Sequence, residues 1–370
     1  MVLLAGGGGL PLLAAVLPED KADVLYHFYD GGGVEIKGPA VQVRARLQPS
    51  TSVFGKYYVD AITSASIDVV TTASPYTEKR REQSVGIDYL RGKSLMSLSY
   101  TTSTENDFDA RSAHFGLAQE FFGGLSTLSL GYSQGWDVVG KSGDEAFAED
   151  VTRRHYRLGL SQVLSKSVLL DTQLEVITDE GFLNNPYRSV RYLDASVGKG
   201  FSYEPEVYPR TRTSTALAVR GAYYLPYRAS LRGEYRFFTD TWGISAHTVG
   251  LSYTHPLGRH WILDGRYRFY SQSKADFYSD LFPYRSAQTH LARDKELSTY
   301  RSHSIGVGLA YEFQPGAVKW IDKGSFNLAA DYIQFDYDDF RDLSGGGPVG
   351  EEPLYGFSAQ VLQAYLSIWY

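Results

Sequence analysis

Apolar and polar residues alternate along most of this chain with a period of two. In one run Val168, Leu170, Leu174 and Val176 alternate with Asp171, Gln173 and Glu175, and in another Trp261, Leu263, Tyr267 and Phe269 alternate with Asp264, Arg266 and Arg268. A period of two is typical of a β-strand whose two faces meet different surroundings. The pattern therefore predicts an all-β protein.

Runs of this kind number about sixteen, with fourteen as the fallback because the first run is the weakest. The predicted strands are 22–29, 34–47, 52–62, 79–90, 93–102, 109–121, 124–135, 151–163, 166–178, 211–224, 227–239, 244–254, 260–272, 298–313, 322–336 and 356–370. An even number is expected of a single-chain bacterial barrel. The fold predicted is a single antiparallel transmembrane β-barrel in the bacterial outer membrane.

The connections between these strands alternate in length. Short ones fall at 48–51, 91–93, 122–124, 164–166, 225–228 and 256–259, and the others include 63–78, 136–150, 179–210, 273–297 and 337–355. Outer-membrane barrels have short periplasmic turns and longer extracellular loops. The alternation therefore predicts which end of the barrel faces outward.

The last predicted strand is apolar on one face and mixed on the other. Its apolar face carries Leu362, Ala364, Leu366, Ile368 and Tyr370. Pairing of this strand with the first would leave no open edge in the membrane. Its terminal aromatic residue resembles the signal read by the outer-membrane assembly machinery, so we expect that machinery, membrane lipids and lipopolysaccharide as partners.

The N-terminal segment, residues 1–21, has an apolar stretch followed by polar residues. We interpret it as a signal-peptide remnant or as a periplasmic N-terminal segment, because no basic region precedes the apolar stretch. Residues 22–370 would then form the barrel.

Composition excludes several kinds of site and partner. The 370 residues include no cysteine, which excludes thiolate metal sites and c-type haem attachment. The net charge is −6 with no basic stripe, so nucleic acid is not an expected partner. We predict no cofactor.

Charged residues are densest on the inward faces of two predicted strands. They are Arg232, Glu234 and Arg236 on the first and Asp264, Arg266 and Arg268 on the second. An Arg-rich constriction would select anions, whereas an ion-paired network would fill and stiffen the lumen. The alternating signs favour the network.

Evidence for an enzyme is weak. None of the eight histidines lies in an HExxH or HxH motif, and no GxSxG motif is present. We therefore predict a non-enzymatic protein without catalytic or metal-binding residues. A hydrolase at the barrel rim is the less favoured alternative.

Several motifs resemble those of an uncharacterised family of Gram-negative outer-membrane β-barrels. They are ASPYTEKR (73–80), NNPYRSVR (184–191), YPRTR (208–212), DTWGI (240–244) and RYRFYSQ followed by ADFY (266–278). The resemblance covers about residues 22–370 and implies the fold and location, but no catalytic residues. Genes of that family often lie beside a small lipoprotein and redox proteins, which implies a link to envelope redox or extracellular electron transfer.

The 32-residue segment 179–210 is too long for an idle loop and is a candidate plug or cap. Candidate residues of the plug and the mouth are Asn185, Tyr187, Arg188, Arg191, Glu204, Arg210, Arg212, Asp240, Trp242 and Asp276. They would pin the segment inside the mouth. The alternative is a loop packed on its neighbours with no gating role.

The function predicted is that of a channel, an export conduit or a sleeve. A scaffold barrel that holds a lipoprotein, or a periplasmic or extracellular redox protein, is the alternative. The sequence does not identify a transported substrate.

Overall fold

The computed structural model describes residues 16–64, 76–316 and 318–370, and in these residues sixteen antiparallel strands form a closed barrel. The barrel strands are β1 (Lys21–Gly31), β2 (Val34–Gln48), β3 (Thr51–Ser64), β4 (Tyr76–Arg91), β5 (Ser94–Thr104), β6 (Phe108–Phe121), β7 (Ser126–Gly140), β8 (Ala148–Val163), β9 (Val168–Gly181), β12 (Thr211–Tyr224), β13 (Ser230–Asp240), β14 (Ser245–Leu257), β15 (Trp261–Gln272), β16 (Tyr300–Phe313), β17 (Lys323–Arg341) and β18 (Leu354–Trp369). A separate hairpin consists of β10 (Ser189–Leu193) and β11 (Phe201–Pro205). The prediction of sixteen strands is confirmed.

The first and last strands close the barrel. β1 pairs antiparallel with β18 from Lys21 opposite Trp369 to Gly31 opposite Ala359, and with β2 on its other side. Closure gives every strand two neighbours, which lipid requires because it cannot bond free backbone groups.

Outward and inward faces alternate as predicted. The outward face is apolar and exposed, with Val85, Leu98 and Ile305 among its members. The inward face carries the charged and small residues, such as Asp88 and Ser302, which are buried in the wall. The same period of two that predicts the strands therefore separates the membrane side from the lumen.

Connections differ at the two ends of the barrel. At the turn end they are 49–50, 92–93, 122–125, 164–167, 225–229, 258–260 and 314–322, and at the loop end the fully described ones are 32–33, 105–107, 141–147, 182–210, 241–244, 273–299 and 342–353. Gly92 and Gly258 have φ of 62° and 67°, which turns this tight require. The loop 136–150 is shorter than predicted because β7 and β8 extend farther at the loop end.

Two predictions fall on residues outside the described ranges. Most of the segment 1–21 lies there, although β1 begins at Lys21, close to the predicted boundary. Most of the loop 63–78 lies there as well.

Candidate functional site

The two longest connections, 182–210 and 273–299, pack on each other at the loop end. The first contains the hairpin of β10 and β11 and corresponds to the predicted segment 179–210, whose first three residues belong to β9. Val207 and Leu291 exchange two backbone hydrogen bonds of 2.9 and 2.8 Å, and a second bridge joins β10 to the other connection. The two connections therefore form one structural unit.

An aromatic cluster joins this unit to the barrel wall. Its buried members are Tyr208, Trp242, Ile244, Ala275, Phe277, Tyr278, Ala292, Leu297, Tyr337 and Phe340. The ring centroids of Tyr208, Trp242 and Phe277 lie 5.2 to 5.5 Å apart. Each such side chain stabilises the packed state by roughly 1.5–3 kcal/mol, so the cluster holds the connections against β17.

Arg191 links three connections. Its side chain is fully buried. It donates to both carboxylate oxygens of Glu352 at 2.6 and 3.0 Å and to Asp280 Oδ2 at 2.5 Å. Glu352 lies between β17 and β18, and Asp280 lies between β15 and β16. The three connections form what we call the mouth assembly: 182–210, 273–299 and 342–353.

The charges at this link are strongly coupled. Burial alone would raise the pKa of the Glu352 carboxyl, but the hydrogen bonds and the charge of Arg191, together with hydrogen bonds from backbone N–H groups, outweigh it and the net pKa is lowered. Burial alone would lower the pKa of Arg191, but Glu352 and Asp280 outweigh it and the net pKa is raised. Arg293 adds a second cation 2.8 Å from Asp280. Removing one partner would therefore leave buried charge without compensation.

Two carboxylates, one at the end of the hairpin and one just after it, bind the neighbouring connection. Glu204 accepts hydrogen bonds from the Ser286 N–H at 2.7 Å and from its hydroxyl at 3.2 Å. Glu206 accepts one from the Arg293 N–H at 2.7 Å. These bonds fix the register of the two connections because they satisfy backbone donors that have no sheet partner.

Tyr187 connects the mouth assembly to loops on the far side of the barrel. Its hydroxyl donates to Asp107 Oδ2 at 2.5 Å and accepts from the Ser142 N–H at 2.5 Å, while Asn185 Oδ1 accepts from the Tyr187 N–H at 2.9 Å. Asp107 lies between β5 and β6, and Glu352 lies between β17 and β18. Four strands separate these connections on one side and eight on the other. The assembly therefore spans the mouth.

Two further predicted residues form ion pairs at this end. Arg188 pairs with Asp294. Arg210 pairs with Glu149 at 2.9 Å, and its side chain remains 65% exposed. An exposed pair of this kind contributes little to stability.

Asp240 organises the tight turn before β14. Its Oδ1 accepts from the N–H groups of Trp242 and Ile244 at 3.0 and 2.9 Å. Arg212 donates to its Oδ2 at 2.8 and 2.5 Å and lies over the Trp242 ring at 4.5 Å. The Asp276 N–H donates to the Trp242 carbonyl at 2.8 Å. This turn therefore positions the indole for the aromatic cluster.

The predicted lumen charges on β13 (Arg232, Glu234 and Arg236) include two that form ion pairs with residues of β9 and β12. Glu234 accepts from Arg220 Nε at 2.5 Å, and Arg236 donates to Glu175 at 3.2 Å. Arg232 faces the lumen and is exposed.

Of the predicted lumen charges on β15 (Asp264, Arg266 and Arg268), Arg266 forms an ion pair with a residue of β17. Arg266 donates to both oxygens of Asp331 at 2.8 and 2.7 Å and to Asp264 at 3.3 Å. Gly306 lies between them in the register. A Cβ there would lie 2.0 Å from Asp331 Oδ1 and 2.6 Å from Arg266 Nε, so only glycine lets the arginine cross β16. Arg268 belongs to this group as well and is exposed in the lumen.

A polar cavity of about 240 Å³ lies along the wall formed by β4 to β8. Its lining includes Arg80, Glu82, Ser103, Asp137, Arg153 and His155. Arg80 pairs with Glu82 and Arg153 with Asp137, each at 2.9 Å. This side of the lumen therefore has paired charges around an unfilled cavity.

The structure adds residues that the sequence analysis did not select. Asp280, Arg293 and Glu352 form the centre of the mouth assembly. Aromatic residues at Phe277 and Phe282, inside a long loop, are a signal that this loop packs. Glu352 follows a glycine run and carries no comparable signal.

Three of the histidines that form hydrogen bonds lie within barrel strands rather than in the loops at the extracellular end. His247 and His303 lie on the outward face, and each shares a hydrogen bond with a tyrosine hydroxyl. His27 contacts Asp60 at 2.7 Å but is buried in the wall. Among the described residues, no group of three or more His, Asp or Glu side chains could hold a metal ion.

No helix among the described residues is long and apolar enough to cross a membrane.

Solved structures resemble this chain at low identity. One described as "Bacterial polysaccharide outer membrane secretin" has a TM-score of 0.51 and 7% identity, over 96% of this chain and 100% of that chain. "Outer-membrane expressed OmpT of Vibrio cholerae" has a TM-score of 0.46 and 11% identity, over 95% and 97%. "Anion-selective porin from Comamonas acidovorans" has a TM-score of 0.40 and 9% identity, over 95% and 98%. The search of curated proteins found no match.

The closed barrel and its likeness to the outer-membrane structure with a TM-score of 0.51 agree with the predicted location. The protein is an integral outer-membrane β-barrel. The predicted membership of an uncharacterised family is confirmed as well. A family profile described as "Protein of unknown function (DUF3570)" matches residues 32–361, and the chain belongs to that family.

Proposed function

We propose that this barrel is a gated channel or export conduit whose extracellular end is closed by the mouth assembly. The observation that carries the proposal is the buried Arg191, which ties together three connections that span the mouth. A wall-bound loop with no gating role would not need contacts on opposite sides of the barrel. The cavity along β4 to β8 supports the same proposal because side chains leave part of the lumen unfilled there.

Conductance in planar lipid bilayers tests the proposal. The intact barrel should show rare, small openings. Replacing 183–209 or 274–298 with a short Gly-Ser linker should raise the conductance, and replacing both should raise it most, because each segment closes part of the mouth. Each variant should keep the heat-dependent gel shift of a folded barrel.

A point variant sharpens the test. Arg191→Met should raise the open probability, because it releases Glu352 and Asp280 from their shared cation. Arg210→Gln is the matched control, since it removes an exposed arginine of the same connection. Equal conductance for the two variants would contradict a role of Arg191 in closing the mouth.

Silence of the intact barrel and of all folded deletion variants would overturn the channel proposal. The sleeve or scaffold for a lipoprotein or redox protein would then take its place, and a stable partner should copurify with the barrel. The proposed link to envelope redox rests on the family resemblance. We also propose that the protein is not an enzyme, which the outward-facing, tyrosine-bonded His247 and His303 support.

A further inference from the structure

Three arginines form a belt on the outward face of alternate strands. Arg81 on β4 and Arg111 on β6 each lie ten residues before the last residue of their strand, and Arg154 on β8 lies nine before. The neighbouring strands β5, β7 and β9 place Thr104, Trp136 and Thr178 at the same level, each ten residues after the first residue of the strand. The side chains therefore form one row around this part of the barrel.

The height of the belt matches a membrane boundary. Ten residues of a strand tilted by about 40° rise roughly 25 Å, which is the height of the apolar band of such barrels. The turn end of the strands marks the periplasmic boundary, so the belt lies at the level of the outer-leaflet headgroups. Arginine at that level can bond phosphate with its planar fork of N–H donors.

In the part of the chain that the structure describes, two of the three belt arginines have no protein partner for their charge. Within the described residues, the side chains of Arg81 and Arg111 form no hydrogen bond or ion pair. Arg154 has Glu180 at 3.7 Å, and that carboxylate is 67% exposed. Asp109 and Glu180 lie two residues farther toward the loop end, beyond the belt.

On the opposite wall, histidines take the equivalent outward positions on two strands. His247 on β14 and His303 on β16 each lie ten residues before the end of their strand. Each is bonded to a tyrosine hydroxyl, from Tyr235 at 2.8 Å and from Tyr267 at 2.9 Å. Two outward cations near this level lie on other strands. Lys37 on β2, eleven residues before the end of its strand, pairs with Glu35 at 2.7 Å, and Arg301 on β16 lies twelve residues before the end of its strand, nearer the loop end. The row of three arginines at one level lies on β4–β8.

An apolar groove of about 390 Å³ lies directly below the belt on the same outward face. Its lining includes Phe115, Leu130, Tyr132, Tyr156, Leu174 and Val176. These residues lie nearer the turn end than Arg111 and Arg154, at the depth of acyl chains. Cations above an apolar groove are complementary to an amphiphile with a phosphorylated headgroup.

We propose that β4 to β9 form a binding site for a phosphorylated glycolipid of the outer leaflet, such as the lipid A part of lipopolysaccharide. The phosphates lie on Arg81, Arg111 and Arg154, and acyl chains fill the groove below. The site is independent of the lumen and of the mouth assembly. Its occupancy is therefore separate from the channel activity proposed above.

Binding of lipid A bisphosphate to the purified, delipidated full-length barrel in mild detergent tests this site. Native mass spectrometry should show one tightly bound lipid. The triple variant R81Q/R111Q/R154Q should bind at least about a hundredfold more weakly, since each charged contact accounts for roughly tenfold in affinity. Arg153→Gln is the matched control, because Arg153 is adjacent in sequence to Arg154 but faces the lumen.

A second pair of measurements separates the headgroup from the chains. Dephosphorylated lipid A should bind the wild-type barrel about as weakly as the bisphosphate binds the triple variant. Leu174→Trp narrows the groove without adding charge and should weaken binding several-fold. Equal binding by the wild type and a folded triple variant, or equal loss in Arg153→Gln, would overturn the proposal. So would binding that disappears on chelation of divalent cations, because a metal would then bridge the phosphate to the carboxylates above the belt.

Discussion

The two sides of the lumen are built from the same alternating strands but are filled differently. On β13 and β16 to β18 the inward residues near the loop end include several aromatic side chains, and the mouth assembly packs on them. On β4 to β8 the inward residues are charged or carry hydroxyl groups, and a cavity remains. An alternating pattern defines which residues face inward, whereas their size and charge decide whether a loop can pack there.

The difference has a simple physical cause. Aromatic wall residues such as Phe335, Tyr337 and Phe357 provide apolar area that loop residues can bury. Arg153 and Asp137 are already paired within the wall, and covering them would require further desolvation. Of the loop residues that reach this side, Tyr187 makes its contact with Asp107 through a hydroxyl group. Burial of apolar area thus holds the mouth assembly on the β13–β18 side of the lumen, whereas polar contacts hold it on the β4–β8 side.

The largest loss of stability on the packed side of the lumen is expected from Arg191→Met. It would leave Glu352 and Asp280 buried with reduced compensation, which should destabilise the mouth assembly by about 3–5 kcal/mol. Hydrogen exchange should show loss of amide protection in 182–210 and 273–299 while the barrel strands stay protected. Unchanged protection would mean that the aromatic cluster alone holds the assembly. Arg210→Gln should change protection by less than about 1 kcal/mol.

An intermediate loss of barrel stability is expected from Gly306→Ala in the wall. The added methyl group would collide with Asp331 and Arg266 and force their ion pair apart, at a cost of about 1–3 kcal/mol. Thermal unfolding in detergent micelles measures this loss. Gly265→Ala is the control, because a Cβ at that position meets no atom within 4 Å. Equal midpoints for the two variants would contradict the close approach described at Gly306.

The smallest change in stability is expected from a substitution of Glu105, on the β4–β8 side of the barrel. Burial, then the charge of Glu78, raises the pKa of the Glu105 carboxyl to about 7. The folded state therefore binds this proton more tightly than the unfolded state, and the stability that the proton confers is lost as the pH rises from about 4.5 through 7. Glu105→Gln should remove this loss and stabilise the barrel above pH 7 by about 1 kcal/mol, because solvent at the rim screens the repulsion.

The pH dependence of the unfolding temperature checks this prediction. The wild-type temperature should fall between pH 5 and pH 8 relative to that of the variant. Parallel curves for the two proteins would show that Glu105 keeps an ordinary pKa.

Much of the fold could be predicted from the sequence, because a barrel strand in lipid has to alternate. All sixteen predicted strands are present, and the pairing of β1 with β18 follows from the need to leave no edge. The terminal strand shows the accuracy of the pattern: Leu362 faces outward and Val361 faces the lumen.

The mouth was less predictable. The length of 179–210 and its arginines identified the segment, and Asp276 pointed to the same end of the barrel. The sequence did not reveal that 273–299 is part of the assembly, or that Arg191 would meet Glu352, which lies 161 residues away. Those contacts depend on which loops the closed barrel brings together.

The sequence by itself determined the strands, their faces and the membrane location, because period-two alternation and the even strand count follow from local chemistry and the nature of lipid. Only the tertiary structure decided which charges pair, which side of the lumen is packed and where the outward arginines align. Ion pairs across strands depend on register, and a level belt depends on the tilt of the closed barrel. Both are properties of the assembled wall rather than of any single segment.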